Sequence, residues 1–238
     1  MKPMLRWLGL CLLALLCLQL AFIARIGLMA AVAPQSSAFE RSQAWQIIHR
    51  SGALPWRQQW QDYAQISDHL KRAVIASEDD GFANHDGVDW DALEKAWAKN
   101  AKAEQRAEQS RSKRPPKIVG GSTITQQLAK NLFLAGERTL LRKAQELVLT
   151  LMLEALLSKE RILEIYLNHV EWGEGVFGAE AAAQHYFRKS ASKLNAWEAA
   201  RLAVMLPRPK YFEKLPNSAY LTGRAAVIVE RMPSAQLP

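Results

Sequence analysis

Ala76-Ser77-Glu78-Asp79-Asp80-Gly81-Phe82-Ala83-Asn84-His85-Asp86-Gly87 sets the end of an apolar helical pattern against a glycine-broken polar corner. Upstream, Leu70, Ala73, Val74 and Ser77 recur at helical spacing, and Ser67 stands where an N-cap belongs. Glu78 and Asp79 therefore fall at the end of a partly buried helix, and Gly81 turns the chain before Phe82 and His85. A half-desolvated carboxylate at such a corner has its pKa raised, which makes it a usable general acid or base. Taken alone, Glu-Asp-Asp at a helix end is an ordinary solvated turn, and His85 reads first as a packed, hydrogen-bonded histidine. A second polar block changes that balance.

The second block is Gly120-Gly121-Ser122-Thr123-Ile124-Thr125-Gln126-Gln127-Leu128-Ala129-Lys130-Asn131. Thr123 with Gln126 three residues on is a capping box, so a helix starts behind the two glycines. A hydroxyl-lined helix N-terminus can receive phosphate oxygens. Gln126, Gln127 and Lys130 share one face of that helix. Beyond it, residues 140–157 form a long amphipathic pattern, with Leu140, Ala144, Leu147, Val148, Leu151 and Ala155 expected inward. Arg142 and Lys143 lie four and three residues from Glu146, one turn away on the same helix; on a solvated surface such pairs contribute little.

Further helices are expected over 158–168, 179–187, 196–206 (capped by Asn195 with Glu198) and 219–232, and few stretches alternate as strands do. The fold class is mainly α. The 238 residues carry 31 Lys and Arg against 23 Asp and Glu, a net charge of +8. After the N-terminal cations Lys2, Arg6 and Arg25, the excess collects in residues 98–117, where seven basic residues face Glu104 and Glu108. This segment reads as a mobile basic loop that meets an anionic partner locally. The only cysteines, Cys11 and Cys17, lie in the first apolar run, so the rest of the chain has no disulfide.

That run, residues 7–24, is uncharged and long enough to span a bilayer, with residues 26–33 able to extend it. Lys2 and Arg6 would hold the N-terminus in the cytoplasm. Ala31-Val32-Ala33 resembles a signal cleavage site, but the run exceeds a usual signal core and Pro34 follows, which favours an uncleaved anchor. The expected division is 1–33 cytoplasmic N-terminus and anchor, 34–66 juxtamembrane segment, and 67–238 catalytic domain. In the middle segment Trp45, Trp56, Trp60 and Tyr63 alternate with Arg41, Arg50 and Arg57; they suit a membrane interface or the domain core equally.

Two acidic centres, Glu78 and Glu146, with Lys130 between them, suit glycosidic chemistry on a substrate whose leaving group carries phosphate. Four ordered blocks then stand out: Glu78-Asp79-x-x-Phe82-x-x-His85-x-Gly87; Gly121-Ser122-Thr123-Ile124-Thr125-Gln126-Gln127-Leu128-Ala129-Lys130-Asn131; Arg142-Lys143-x-x-Glu146; and Arg161-Ile162-Leu163-Glu164-x-Tyr166-Leu167-Asn168. With a fifth from Glu198 to Pro209, they resemble the motifs of the family 51 peptidoglycan glycosyltransferases over residues 67–232. The chain ends where bifunctional members continue into a transpeptidase domain, so the resemblance is to the monofunctional branch.

The resemblance implies a lysozyme-like, two-lobed α fold with the smaller lobe at the membrane. It implies polymerisation of lipid II into β-1,4-linked glycan with inversion and release of undecaprenyl diphosphate. Glu78 would be the general base and Glu146 the second catalytic carboxylate. Lys130, Arg142 and Lys143 would hold the diphosphate. Asp79, Ser122, Thr123, Gln126, Gln127 and Asn131 would shape the substrate cleft, with Phe82 and His85 supporting the Glu78 loop. No metal ligand is assigned; Glu146 would position either the cations or a divalent ion (Mg or Mn) at the diphosphate. Lipid II, the growing strand and the membrane are the implied partners, cell-wall transpeptidases or division proteins are candidates, and nothing points to nucleic acid. The implied location is the bacterial inner membrane, single-pass, with the catalytic domain in the periplasm. Two rivals are a hydrolase of the same polymer, which gives the three cations no use, and a catalytically inert membrane-anchored scaffold.

Overall fold

The computed structural model of the protein describes residues 2–109, 120–134 and 139–238. The apolar run forms α1 (Lys2–Met29), and its stretch Pro3–Met29 is long and apolar enough to cross a membrane. Cys11 and Cys17 are exposed on it. Only its C-terminal end docks: Ile26 and Met29 are buried, and Gln19 and Gln145 exchange side-chain hydrogen bonds at 3.1 and 3.3 Å.

The segment after it does not stand apart. Ser37 and Glu40 form a capping box that starts α2 (Ala38–Ser51), and β1 (Arg57–Gln58) follows. Buried Glu40 meets His169 at 2.7 Å, and the other nitrogen of that ring lies 3.1 Å from the Pro34 carbonyl. Gln61 N–H donates to Asn168 (2.8 Å) and Tyr63 N–H to Glu164 (3.0 Å). Residues 34–66 thus complete the polar groups of the later helix that carries Glu164, Asn168 and His169. Of the aromatic residues there, Trp56 stacks on Phe177 and Trp60 lies edge-on to His169, while Trp45 stays outside.

Ser67 caps α3 (Asp68–Glu78), which buries Leu70, Ala73, Val74, Ile75 and Ala76. Then α4 runs from Trp90 to Gln109. This corrects the expected loop at 98–117: residues 98–109 are helical, and 110–119 lie outside the described residues. The reason is propensity, since Ala, Lys, Glu, Gln and Arg are strong helix formers and need no apolar face to propagate a helix already begun. The capping box of Thr123 and Gln126 opens α5 (Ile124–Phe133), and Thr139 caps α6 (Leu140–Leu156).

Helix α6 forms where expected but presents the opposite face. Leu140 is 92% and Leu151 50% exposed, and Ala144, Leu147, Val148 and Ala155 also face outward. The buried face is Glu146, Leu149, Thr150 and Leu153. The helix has apolar residues on both sides, and periodicity alone does not say which side meets the core. Packing on α5 and α7 (Lys159–His169) takes the stripe that also encloses Glu146.

A small sheet follows: β2 (Glu171–Gly173) pairs antiparallel with β3 (Val176–Phe177), which pairs parallel with β1 in the register Arg57↔Val176 and Gln58↔Phe177. The chain closes with α8 (Ala179–Phe187), α9 (Ala196–Met205, with the expected Asn195–Glu198 capping box), α10 (Pro209–Phe212) and α11 (Ala219–Arg231). Helices α3, α9 and α11 pack on one another, burying Leu70, Val74, Leu202, Ala203, Leu221 and Ile228. The fold is mainly α, and this helical core anchors α3, so the Glu78 corner projects from a rigid support.

Candidate active site

Glu78 closes α3 beside the α5 helix. Gln127 Nε2 donates to its Oε2 at 3.0 Å, and Ser77 Oγ lies 3.5 Å from Oε1. Burial raises the pKa of Glu78, with the Asp79 charge adding to it; the hydrogen bonds from Gln127 and Ser77 oppose the rise. The result is a carboxylate with more proton affinity than a solvated one. The Gln127 amide is held from behind by the buried Tyr166 hydroxyl, which donates to Oε1 at 3.0 Å.

Asp79 ties this corner to α5. Its Oδ2 accepts from the Ile124 N–H at 2.9 Å, and its Oδ1 is 2.9 Å from His85 Nε2. Gly87 N–H donates to His85 Nδ1 at 3.1 Å, so the ring's own proton sits on Nε2 and donates to Asp79. Thr123 Oγ1 donates to the Gly87 carbonyl at 2.6 Å, closing the loop onto the α5 N-terminus. That N-terminus therefore has a protein carboxylate on it already. Phe82 is fully buried, with Lys159 Nζ 4.6 Å from its ring centroid. Phe82 and His85 thus brace the loop from inside, and neither lines the two cavities of the site.

Those cavities share Ser122. The first, of about 370 Å³, is lined by Ser122, Gln126, Gln127, Lys130, Asn131, Arg142, Lys143 and Glu146, together with Phe39 and Leu134. Eight expected site residues thus come together, seven from the α5 and α6 helices and Ser122 from the segment before α5. Glu146 is buried and accepts from Arg142 Nη1 at 3.2 Å and from Lys143 Nζ. Burial lowers the pKa of Lys130; the Glu146 charge opposes this, while Arg142 and Lys143 push the same way as burial. Arg142 Nε is buried without a hydrogen-bond partner. Three cations thus face a single carboxylate, an arrangement with spare capacity for an anion. The donor set does not suit a protein-held divalent ion. Both Glu146 oxygens are engaged by cations, and no group of three His, Cys, Asp or Glu among the described residues could hold a metal.

The second cavity, about 410 Å³, contains Glu78, Asp79, Ser122 and Thr123. It brings in Lys99, from the basic segment expected to meet an anionic partner, and adds two residues the sequence did not single out: Lys95, also of α4, and Arg231, which pairs with Asp80 at 3.1 Å. The four-residue spacing of Lys95 and Lys99 was a readable signal; nothing in the sequence links Arg231 or Phe39 to the site.

A half-buried, hydrogen-bonded carboxylate beside a cation-lined cavity, on a helical domain behind an apolar helix, is equipment suited to an acid–base enzyme. Residues 46–233 match the transglycosylase family, and the chain belongs to it. It is 55% identical over 225 residues to the biosynthetic peptidoglycan transglycosylase of Burkholderia thailandensis, covering 94% of this chain and 84% of that relative. Proteins of the same description from Burkholderia orbicola and Burkholderia pseudomallei are each 53% identical over 94% of this chain, with 87% and 84% of their own lengths covered.

Proposed function

We propose that this chain polymerises glycan strands of peptidoglycan from lipid II. The observation that carries the reading is the placement of Glu78, with raised proton affinity, at a cavity adjoining the Lys130–Arg142–Lys143 cluster. Glu78 takes the proton from the 4-OH of the acceptor's N-acetylglucosamine as that oxygen attacks C1 of the donor's N-acetylmuramic acid. The C1–O bond to the diphosphate breaks and its electron pair leaves with undecaprenyl diphosphate, inverting the anomeric centre to a β-1,4 link. Lys130, Arg142 and Lys143 offset the charge that grows on the leaving group, which selectively favours the transition state. One base and several cations suffice for an inverting displacement without a covalent enzyme intermediate. Glu146 orients the cations.

In this reading α1 spans the inner membrane once and holds the catalytic domain on the periplasmic side, next to lipid-linked substrate. Lipid II and the growing strand are its partners, and cell-wall transpeptidases or division proteins are candidates for association. The test is polymerisation of labelled lipid II in detergent by wild type and Glu78→Gln. Removal of a general base lowers the rate by about 10²–10⁴-fold. Lysozyme-sensitive polymer from wild type alone supports the assignment. Equal polymer from both removes Glu78 from its role, and cleavage of finished glycan without polymerisation favours the hydrolase.

A further inference from the structure

The group behind the base is the less expected part of this site. Tyr166 is 1% exposed on α7, and its hydroxyl sends a hydrogen bond to Gln127 Oε1 at 3.0 Å; Gln127 Nε2 sends one to Glu78 Oε2 at 3.0 Å. Both ends of this chain demand the same amide orientation. A phenol keeps its proton here, because burial and the charges of Glu78 and Asp79 push its pKa well above the ordinary tyrosine range. It must therefore donate, and an ionised carboxylate can only accept.

We propose that Tyr166 is a positioning residue of the base, locking the Gln127 amide so that an N–H always points at the Glu78 carboxylate. The inference rests on Glu78 being the base and adds a residue that does not touch substrate. Its logic lies in the reversed state. Were the amide to flip, Oε1 would face Glu78, repelling the carboxylate and accepting from the protonated acid. That flip would also turn the NH₂ group toward Tyr166, leaving the buried phenol proton without its acceptor. The phenol thus resists the flip, and so resists the protonation of Glu78 that burial otherwise promotes. With phenylalanine in place of Tyr166 the amide turns freely, and the protonated acid gains a partner it now lacks.

The experiment uses the full chain in detergent, with two readouts. One is the carboxyl stretch of Glu78, from infrared difference spectra against Glu78→Gln, followed across pH. The other is the acid limb of kcat/KM for labelled lipid II. Tyr166→Phe is expected to move both midpoints upward together, by about half a pH unit or more, a threefold or greater loss of rate on the acid side that a higher pH restores. Gln127→Leu should move them at least as far, and Tyr166→Phe should add nothing in the Gln127→Leu background. A lowered plateau with unmoved midpoints, or additive effects in the double variant, overturns the proposal. If Tyr166→Phe does not fold, Gln127→Leu with an unmoved infrared midpoint overturns it as well. A shifted infrared midpoint with an unmoved kinetic limb keeps the lock and removes Glu78 as the base.

Discussion

Replacing Glu146 by glutamine keeps the shape of the first cavity floor and deletes its one negative charge. Arg142 Nη1 lies 3.2 Å from the carboxylate, and at an effective dielectric of about 20 two unit charges at that distance attract by roughly 5 kcal/mol. Desolvation of both groups offsets most of that attraction. Lys143 is 53% exposed, so solvent screens its share, and the contribution at risk is mainly that of Arg142. A charge-assisted hydrogen bond contributes about 1.5–3 kcal/mol net, so Glu146→Gln should lower stability by about that much, a fall in Tm of roughly 3–12 °C for a chain of this size. The electrostatic consequence is more diagnostic. Glu146 is the charge that opposes the lowering of the Lys130 pKa, and Arg142 and Lys143 add to the lowering. Without Glu146 the ammonium of Lys130 loses its proton at lower pH, so the alkaline limb of kcat/KM moves down. Loose cations should also cost about 10²-fold in kcat/KM through misorientation of the leaving group. Thermal unfolding followed by tryptophan fluorescence and a pH–rate series on lipid II measure both effects. Removing Arg142 as well (Arg142→Met with Glu146→Gln) should destabilise by less than the sum of the single changes, because the two groups interact. An alkaline limb that stays in place, with additive stabilities, would refute the account of Glu146 as the organiser of the cations.

Glu78→Gln should be more stable than wild type at neutral pH. Glu78 binds its proton more readily folded than unfolded, so wild-type stability falls as pH rises from the ordinary carboxylate range through the raised value; melting curves of the two proteins should converge in acid and separate above it. Gly87→Ala should destabilise by about 2–5 kcal/mol, from the left-handed backbone and overpacking together. Its φ is +85°, and a Cβ there would stand 2.7 Å from Thr150 Cγ2 and 2.8 Å from Glu154 Cγ; denaturant titration reads the loss, and an unchanged midpoint would contradict it. Lys95, Lys99, Lys102 and Arg106 form one exposed basic stripe on α4, starting in the cavity that holds Glu78. Changing all four to glutamine should raise KM in anionic vesicles and flatten its dependence on salt, since exposed charges act through a screened field; identical salt curves would exclude a role for the stripe in gathering anionic lipid or substrate.

Features set by a few neighbouring residues were legible in the chain itself. The caps at Ser67, Thr123 and Asn195, the mainly helical class, the α1 helix, and the grouping of Arg142 and Lys143 with Glu146 all depend on spacing within a turn or two. Such contacts form whenever the helix forms, so periodicity and cap chemistry suffice to read them. Which face of α6 turns inward was not of this kind, because both faces carry apolar residues and the choice belongs to the helices packed against it. The extent of α4 was misread for a related reason: a segment without an apolar face can still extend a helix that began elsewhere. The fastening of residues 34–66 to Asn168 and His169, and the line from Tyr166 through Gln127 to Glu78, join groups up to 135 positions apart in the chain. No local pattern encodes such pairs. They exist because burying a polar group requires a partner wherever the fold supplies one, and only the tertiary structure brings Tyr166 up behind the amide that faces the base.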